Sequence, residues 1–255
     1  MRIVVKVGTS TLTHATGKLN VKRTGELCAV LSDLKNAGHE VILVSSGAIG
    51  MGVGKLALIK KPTDIPTKQA AAAVGQCELM YTYDRLFNEY NHTVAQLLLT
   101  GSDFSAQDRH ENFSNTIMRL LELGALPIVN ENDTIATEEI KVGDNDTLSA
   151  LVASSVKADL LVILSDVNGL YSADPHKDKT AKLIDEVKEI THEIIALAGG
   201  AGSALGTGGM ATKLKAAQIA RKTGCDTVIA SGATPTVLYD IMAGKKGNYT
   251  RFISK

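Results

Sequence analysis

The sequence predicts an α/β fold, a mainly parallel central sheet sandwiched by helices on both faces in three layers. Short continuous apolar runs recur along the chain, as expected of strands covered on both sides. Segments with apolar residues at helical spacing alternate with them, the pattern of parallel strands joined by crossover helices. Clusters of glycine, serine, lysine and aspartate follow several strands directly, at the edge where open α/β sheets bind ligands.

The first strand covers 2–7 and runs into Lys6-Val7-Gly8-Thr9-Ser10, where the lysine points along the sheet edge and Gly8 lets a ligand approach the backbone. Leu27, Val30, Leu31 and Leu34 form the inner stripe of a first helix, stopped at Gly38. A second strand, 41–44, breaks into a glycine-rich turn, 45–54, whose N–H groups suit a carboxylate or phosphate. It is not a P-loop, because Ile49 and Leu56 stand where that motif requires glycine and a hydroxyl, and it is not GxGxxG. A proline opens a long helix over 66–90, rich in alanine at 69–74. A strand at 93–99, a helix at 111–124 and a strand at 126–129 follow.

The densest chemistry lies in 130–174. Asp144, Asn145 and Asp146 stand between a glycine and an apolar run, a good helix entrance. A helix therefore starts near Asn145, buries Leu148, Leu151, Val152 and Val156, and turns its free N–H groups toward whatever the loop binds. The stretch 134–142 is expected to form a small hairpin in which Glu138 and Glu139 face water. A covered strand at 158–164 then delivers Ser165, Asp166, Asn168 and Gly169 to the sheet edge. A short helix at 191–198 leads into the glycine-rich 199–209 segment, which abuts a helix carrying Leu214, Ala217, Ile219 and Ala220 and so sits at an anion-binding helix N-terminus. The last central strand is 227–230 and the closing helix 235–243. No linker or repeat divides the chain, which reads as one domain, 1–255, with a mainly substrate-binding lobe, 1–155, and a mainly nucleotide-binding lobe, 156–255.

Lysine plus arginine equals aspartate plus glutamate at 27 each, so there is no electrostatic footprint for nucleic acid or an anionic membrane. Cys28, Cys77 and Cys225 are odd in number and widely spaced. They read as buried small hydrophobes in a reducing, cytoplasmic setting rather than as a disulfide framework. The six histidines show no paired ligand spacing. The N-terminal apolar run is too short for a signal peptide, and nothing approaches a membrane span.

Taken in order, Lys6-Val-Gly8-Thr9-Ser10, Ser45-Ser46-Gly47-Ala48, Asn132-Asp133, the KVGDND segment ending at Asp146, the SDVNGLYSADP segment beginning at Ser165 and the GTGGMATK segment ending at Lys213 resemble the amino acid kinase family, and most closely its glutamate-phosphorylating branch. The resemblance covers essentially the whole chain, with KVGDND and GTGGMxTK the specific segments. It implies ATP-dependent phosphorylation of the side-chain carboxylate of L-glutamate to L-glutamyl 5-phosphate, the first step toward proline. Two alternatives are a related kinase with another acceptor and a non-catalytic nucleotide sensor of the same fold.

The resemblance also assigns roles. Lys6 and Lys213 flank the transferring phosphoryl group, with Asp146 and Asp144 fixing their orientation. Ser46, Gly47, Asp133 and Asn145 hold glutamate. Gly8, Ser165, Asp166, Asp174, Thr207, Gly208, Gly209, Met210 and Lys213 hold ATP, and Mg2+ enters with the nucleotide rather than through protein ligands. A carboxylate acceptor is already ionised at neutral pH, so no general base is needed. L-proline is implied as a feedback inhibitor, glutamyl phosphate reductase as a transient partner, and a homo-oligomer as the assembly. Many relatives carry a C-terminal PUA domain beyond the position of Phe252, for which this chain leaves no room. Ser165 stands where the family commonly has threonine.

Overall fold

The computed structural model describes every residue except 15, 17, 61, 137–143, 176, 200–208 and 255. β1 (Arg2–Val7) leads through a short α1 (Thr9–Leu12) to α2 (Val21–Asn36) and β2 (Glu40–Ser45). Next come α3 (Ala48–Lys55), α4 (Ile65–Asn88), β3 (Val94–Leu99), α5 (Gly101–Ser105), α6 (Gln107–Glu122) and β4 (Leu126–Glu131). The second half holds α7 (Asn145–Ser155), β5 (Leu160–Ser165), β6 (Glu186–Val187), α8 (His192–Gly199), α9 (Met210–Arg221), β7 (Asp226–Ser231), α10 (Val237–Met242) and β8 (Tyr249–Phe252).

These strands form one eight-stranded sheet in the order β3-β4-β2-β1-β5-β7-β8-β6. All pairings are parallel except β7 with β8. β1 sits in the middle, with β2 on one side and β5 on the other, so the chain reverses its direction of travel across the sheet there. In such sheets the crevice at the reversal, outside the carboxyl ends of the strands, is where ligands bind.

Strand alternation divides the core into two layers. Ile3, Val5 and Val7 face the α2, α4 and α10 side, packing with Leu27, Leu31, Leu79 and Leu238. Val4 faces the other side, with Leu148, Val152 and Ala216 from α7 and α9. Because side chains alternate along a strand, Lys6 follows Val4 onto the α7–α9 face. A third, smaller cluster joins α8 and α9 to β8 through Leu170, Leu214, Ile229 and Phe252.

The glycine-rich stretch expected as a turn is largely helical, which corrects the sequence reading. Ala48–Lys55 forms α3, entered through Gly47 in the left-handed region at φ 113°. Helix propensity argues against glycine here, and tertiary packing overrides it. A Cβ on Gly52 would lie 1.7 Å from the Ala71 carbonyl oxygen, and one on Gly75 1.7 Å from that of Ala48. The glycines thus let α3 and α4 meet backbone to backbone, with no room for even a methyl group.

Four further elements went unread: the one-turn α1, α5, the two-residue β6, and β8, which pairs antiparallel with β7. Cys28 and Cys225 are buried as expected, whereas Cys77 is exposed on the outer side of α4. The expected hairpin, with Glu138 and Glu139, lies mostly outside the described residues. Among the described residues, no helix is long and apolar enough to cross a membrane.

Candidate functional site

Register brings Lys6, Ser46 and Ser165 to one edge. Lys6 pairs with Val44 on β2 and with Ile163 on β5, so Ser46 and Ser165 each lie two residues beyond its partners, at the same carboxyl end. α7 enters this edge from above. Asp144 is its N-cap and accepts from the Thr147 N–H at 2.8 Å, which sets Asn145 and Asp146 in the first turn. A negative side chain there is favoured by the helix dipole.

Asp146 is fully buried and joins two lysines. Lys6 Nζ lies 2.6 Å from Oδ1 and Lys213 Nζ 3.1 Å from Oδ2. Thr212 Oγ1 also donates to Oδ2, at 2.8 Å. Burial alone would raise the pKa of Asp146, but the charges of Lys6 and Lys213 outweigh it and hold the carboxyl below its usual range. Three elements therefore meet in one buried cluster of two ammoniums and one carboxylate, with a net positive charge. Each supplies its group for a local reason: β1 by alternation, α7 by its capped first turn, and α9 because Lys213 falls in its first turn on the buried side.

Asp144 stands beside the cluster, close enough for the charge of Lys6 to act on it. Its described contact is the helix cap, and burial, followed by the charge of Asp146, raises its pKa against the Thr147 N–H and Lys6, which pull it down.

Beside this cluster runs a chain of amides. Asn145 Nδ2 donates to Ser46 Oγ at 2.7 Å and to Asn130 Oδ1 at 3.1 Å. Asn130 Nδ2 donates to Gln76 Oε1 at 3.0 Å, and Asn130 Oδ1 also accepts from the Glu131 N–H at 2.9 Å. Asn145 Oδ1 is buried and unpaired among the described residues. Sequence reasoning gave no role to Asn130 or Gln76. The available signal was weak, a carboxamide at the end of an apolar strand and another in an alanine-rich helix. Asp133 lies half-buried in the turn after β4, next to the undescribed 137–143.

On the other side of β1, Ser165 ends β5, donates from Oγ to Asp166 Oδ1 at 2.9 Å and accepts at its carbonyl from the Gly232 N–H at 2.7 Å. The segment after it is tied to β8, because the Leu170 N–H donates to Thr250 Oγ1 at 2.8 Å and a Cβ on Gly169 would lie 2.3 Å from that oxygen. Asp174 heads a turn, its carbonyl accepting from the N–H groups of Lys177 and Asp178. Gly8 opens α1 just past Lys6. Gly209 is the N-cap of α9 and Met210 its first residue. Thr207 and Gly208 lie outside the described residues. Among those described, no group of three or more His, Cys, Asp or Glu is placed to hold a metal ion.

The arrangement pairs a concentrated positive cluster, suited to an anionic transfer centre, with a hydroxyl and carboxamide pocket suited to a small polar molecule. The amino acid kinase family matches residues 1–231. Glutamate 5-kinase from Clostridium tetani is 56% identical over 243 residues, 95% of this chain and 91% of its own length. That from Clostridium perfringens is 53% identical and is covered to 96% by the whole of this chain. Glutamate 5-kinase from Caldanaerobacter subterraneus is 55% identical over 96% of this chain, which spans 66% of that longer relative. Among solved structures, carbamate kinase from Giardia lamblia bound to AMP-PNP superposes with a TM-score of 0.70 at 21% identity, covering 100% of this chain and 98% of that one. At that identity the likeness speaks for the fold.

Proposed function

Because the chain belongs to the amino acid kinase family, we propose that it transfers the γ-phosphoryl group of ATP to the side-chain carboxylate of L-glutamate, giving L-glutamyl 5-phosphate, the first step of proline biosynthesis. The observation that carries this reading is the buried Lys6–Asp146–Lys213 cluster beside the Ser46–Asn145 pocket. It is supported by relatives of the same name at more than half identity along nearly the whole chain.

In the reaction, a γ-carboxylate oxygen of glutamate forms a bond to phosphorus as the bond from phosphorus to the bridging oxygen of ADP breaks. The nucleophile is already ionised, so no proton moves. The task left to the protein is to hold two anions together and neutralise the charge between them. Lys6 comes from the substrate side of the sheet edge and Lys213 from the helix that follows the glycine-rich segment, and Asp146 holds both ammoniums in place. Both Asp146 oxygens face lysine ammoniums, so this carboxylate is committed to them rather than to a metal. Mg2+ therefore enters on the phosphates, whose charge it screens when bound.

Asn145 Oδ1 accepts from the substrate ammonium, while the Ser46 hydroxyl proton and the Gly47 backbone face its α-carboxylate, and Asp133 completes this end. Ser165, Asp166, Asp174, Gly8 and the 207–210 segment bind the nucleotide. This divides the domain into a substrate lobe, 1–155, and a nucleotide lobe, 156–255. L-proline offers the same α-carboxylate and charged amine and so competes for the same pocket. The product, an acyl phosphate, passes to its reductase in the cytoplasm.

ATP-dependent acyl-hydroxamate formation in the presence of hydroxylamine is expected with L-glutamate and not with carbamate or nucleoside monophosphates as acceptors. Preference for another acceptor would displace this reading, and inhibition by L-proline that persists at saturating glutamate would remove the shared pocket. Asn145→Ala is expected to raise the glutamate KM by about tenfold or more, since a hydrogen bond to a charged group contributes about 1.5–3 kcal/mol, with the ATP KM nearly unchanged. Equal rises for both substrates would mean that the α7 entrance has collapsed rather than lost one contact.

A further inference from the structure

The geometry points to Gln76 as a positioning residue that holds the Asn130 amide in its seat and, through it, keeps the oxygen of the Asn145 amide toward the substrate, an inference that rests on the reading of Asn145 given above. Gln76 lies on α4, is buried, and accepts from Asn130 Nδ2 through Oε1.

One group in this chain of amides cannot turn over. The Glu131 backbone N–H is a fixed donor, and it points at the Asn130 side chain, so the atom it meets has to be Oδ1. Asn130 Nδ2 is thereby forced toward Gln76, which must answer with Oε1. The same Oδ1 faces Asn145, which must answer with Nδ2. That nitrogen also donates to Ser46 Oγ, which makes the hydroxyl an acceptor here and leaves its proton to donate elsewhere. Each amide is thus determined by the one before it, and the last two groups are left in a defined state. Asn145 Oδ1 is an acceptor without a partner among the described residues, and Ser46 offers a donor beside it.

An unpaired buried acceptor is costly and persists in native proteins for a reason. Here the remaining acceptor and donor stand side by side, the pattern that an α-amino acid zwitterion matches with its ammonium and carboxylate. Gln76 maintains that pattern. Without Oε1, the buried Asn130 Nδ2 loses its acceptor, and the Glu131 N–H forbids the amide from turning over in place to find another. A buried donor left unpaired is costly, so the Asn130 side chain leaves its seat, Asn145 loses the oxygen that fixes its Nδ2, and Asn145 Oδ1 no longer stays where the ammonium needs it. The effect falls on substrate binding, because nothing in this relay touches Lys6, Lys213 or the nucleotide segments.

Three variants test this. Gln76→Met keeps the length and apolar stem and removes the acceptor. It is expected to raise the KM for L-glutamate about tenfold, the scale of one hydrogen bond to a charged group, with kcat and the ATP KM within about twofold of wild type. Gln76→Glu keeps an acceptor for Asn130 Nδ2 and is expected to return the glutamate KM to within about threefold. Should Gln76→Met fail to fold, Gln76→Asn, which withdraws the acceptor by one methylene, is judged by the same split between KM and kcat. An unchanged glutamate KM in the methionine variant, a parallel loss for ATP, or a glutamate variant as impaired as the methionine one would each overturn the inference. Wild-type protein that forms no hydroxamate from L-glutamate overturns the functional reading, and this inference with it. Active wild type with an indifferent Gln76 overturns this inference alone.

Discussion

Lys213→Met and Lys6→Met each lower kcat by about two to three orders of magnitude, the loss found when one preorganised charge-stabilising group is removed, while the unfolding temperature hardly moves. Methionine keeps the buried stem, so packing is largely conserved. The buried cluster holds two ammoniums on one carboxylate, and losing either lysine takes its net charge from positive to neutral. A unit charge about 4 Å away is worth roughly 4 kcal/mol at an effective dielectric constant near 20, ample for a change of that size in rate. Stability is spared because the remaining lysine still neutralises Asp146, so no buried charge is left without a counterpart. Steady-state ADP release with thermal unfolding on the same preparations checks both halves. A variant with kcat within tenfold of wild type would take that lysine out of the phosphoryl-transfer step.

How far this site could be read from the sequence depends on what carried each signal. The central strands announced themselves because they are buried on both faces, as with β5, whose six residues are all buried. The start of α7 was legible in Asp144 itself, a cap whose side chain bonds three residues ahead. Lys6 was legible as a strand-end lysine, but nothing local says that it meets Lys213, which lies 207 residues later. Their union through Asp146 is a product of register and of α7 and α9 packing on the same face as Val4. The helical state of 48–55 was hidden because glycine is a poor helix former, and the contact that compensates is with Ala71, on another helix. Gln76 was invisible for a related reason. A glutamine in a long amphipathic helix ordinarily faces water, and only the close α3–α4 approach and the end of β4 place it among buried amides.

The largest loss of stability among these changes belongs to Asp146→Asn, and its dependence on pH separates it from ordinary core damage. Removing the carboxylate while keeping the shape takes away the charge that bridges the buried Lys6 and Lys213. Breaking a buried ion pair by deleting one partner costs about 3–5 kcal/mol, because the charge left behind stays desolvated. Here the lost carboxylate bridged two ammoniums, and kcat falls with it, since that bridge no longer holds them on the transfer path. The sign of the pH effect follows from the lowered pKa of Asp146 in the folded protein. Its contribution to wild-type stability is fully present above the unfolded value of about 3.9 and is lost as pH falls through the lower folded value. A protonated Asp146 resembles asparagine. The gap between wild type and variant in urea unfolding is therefore widest from about pH 5 to neutrality. It closes as the medium is made more acidic than the folded pKa, through loss of stability by the wild type rather than gain by the variant. A gap that stayed constant from neutral pH down to strongly acidic conditions would mean that Asp146 is held by its packing and by Thr212, and that the two lysines are neutralised by something other than this carboxylate.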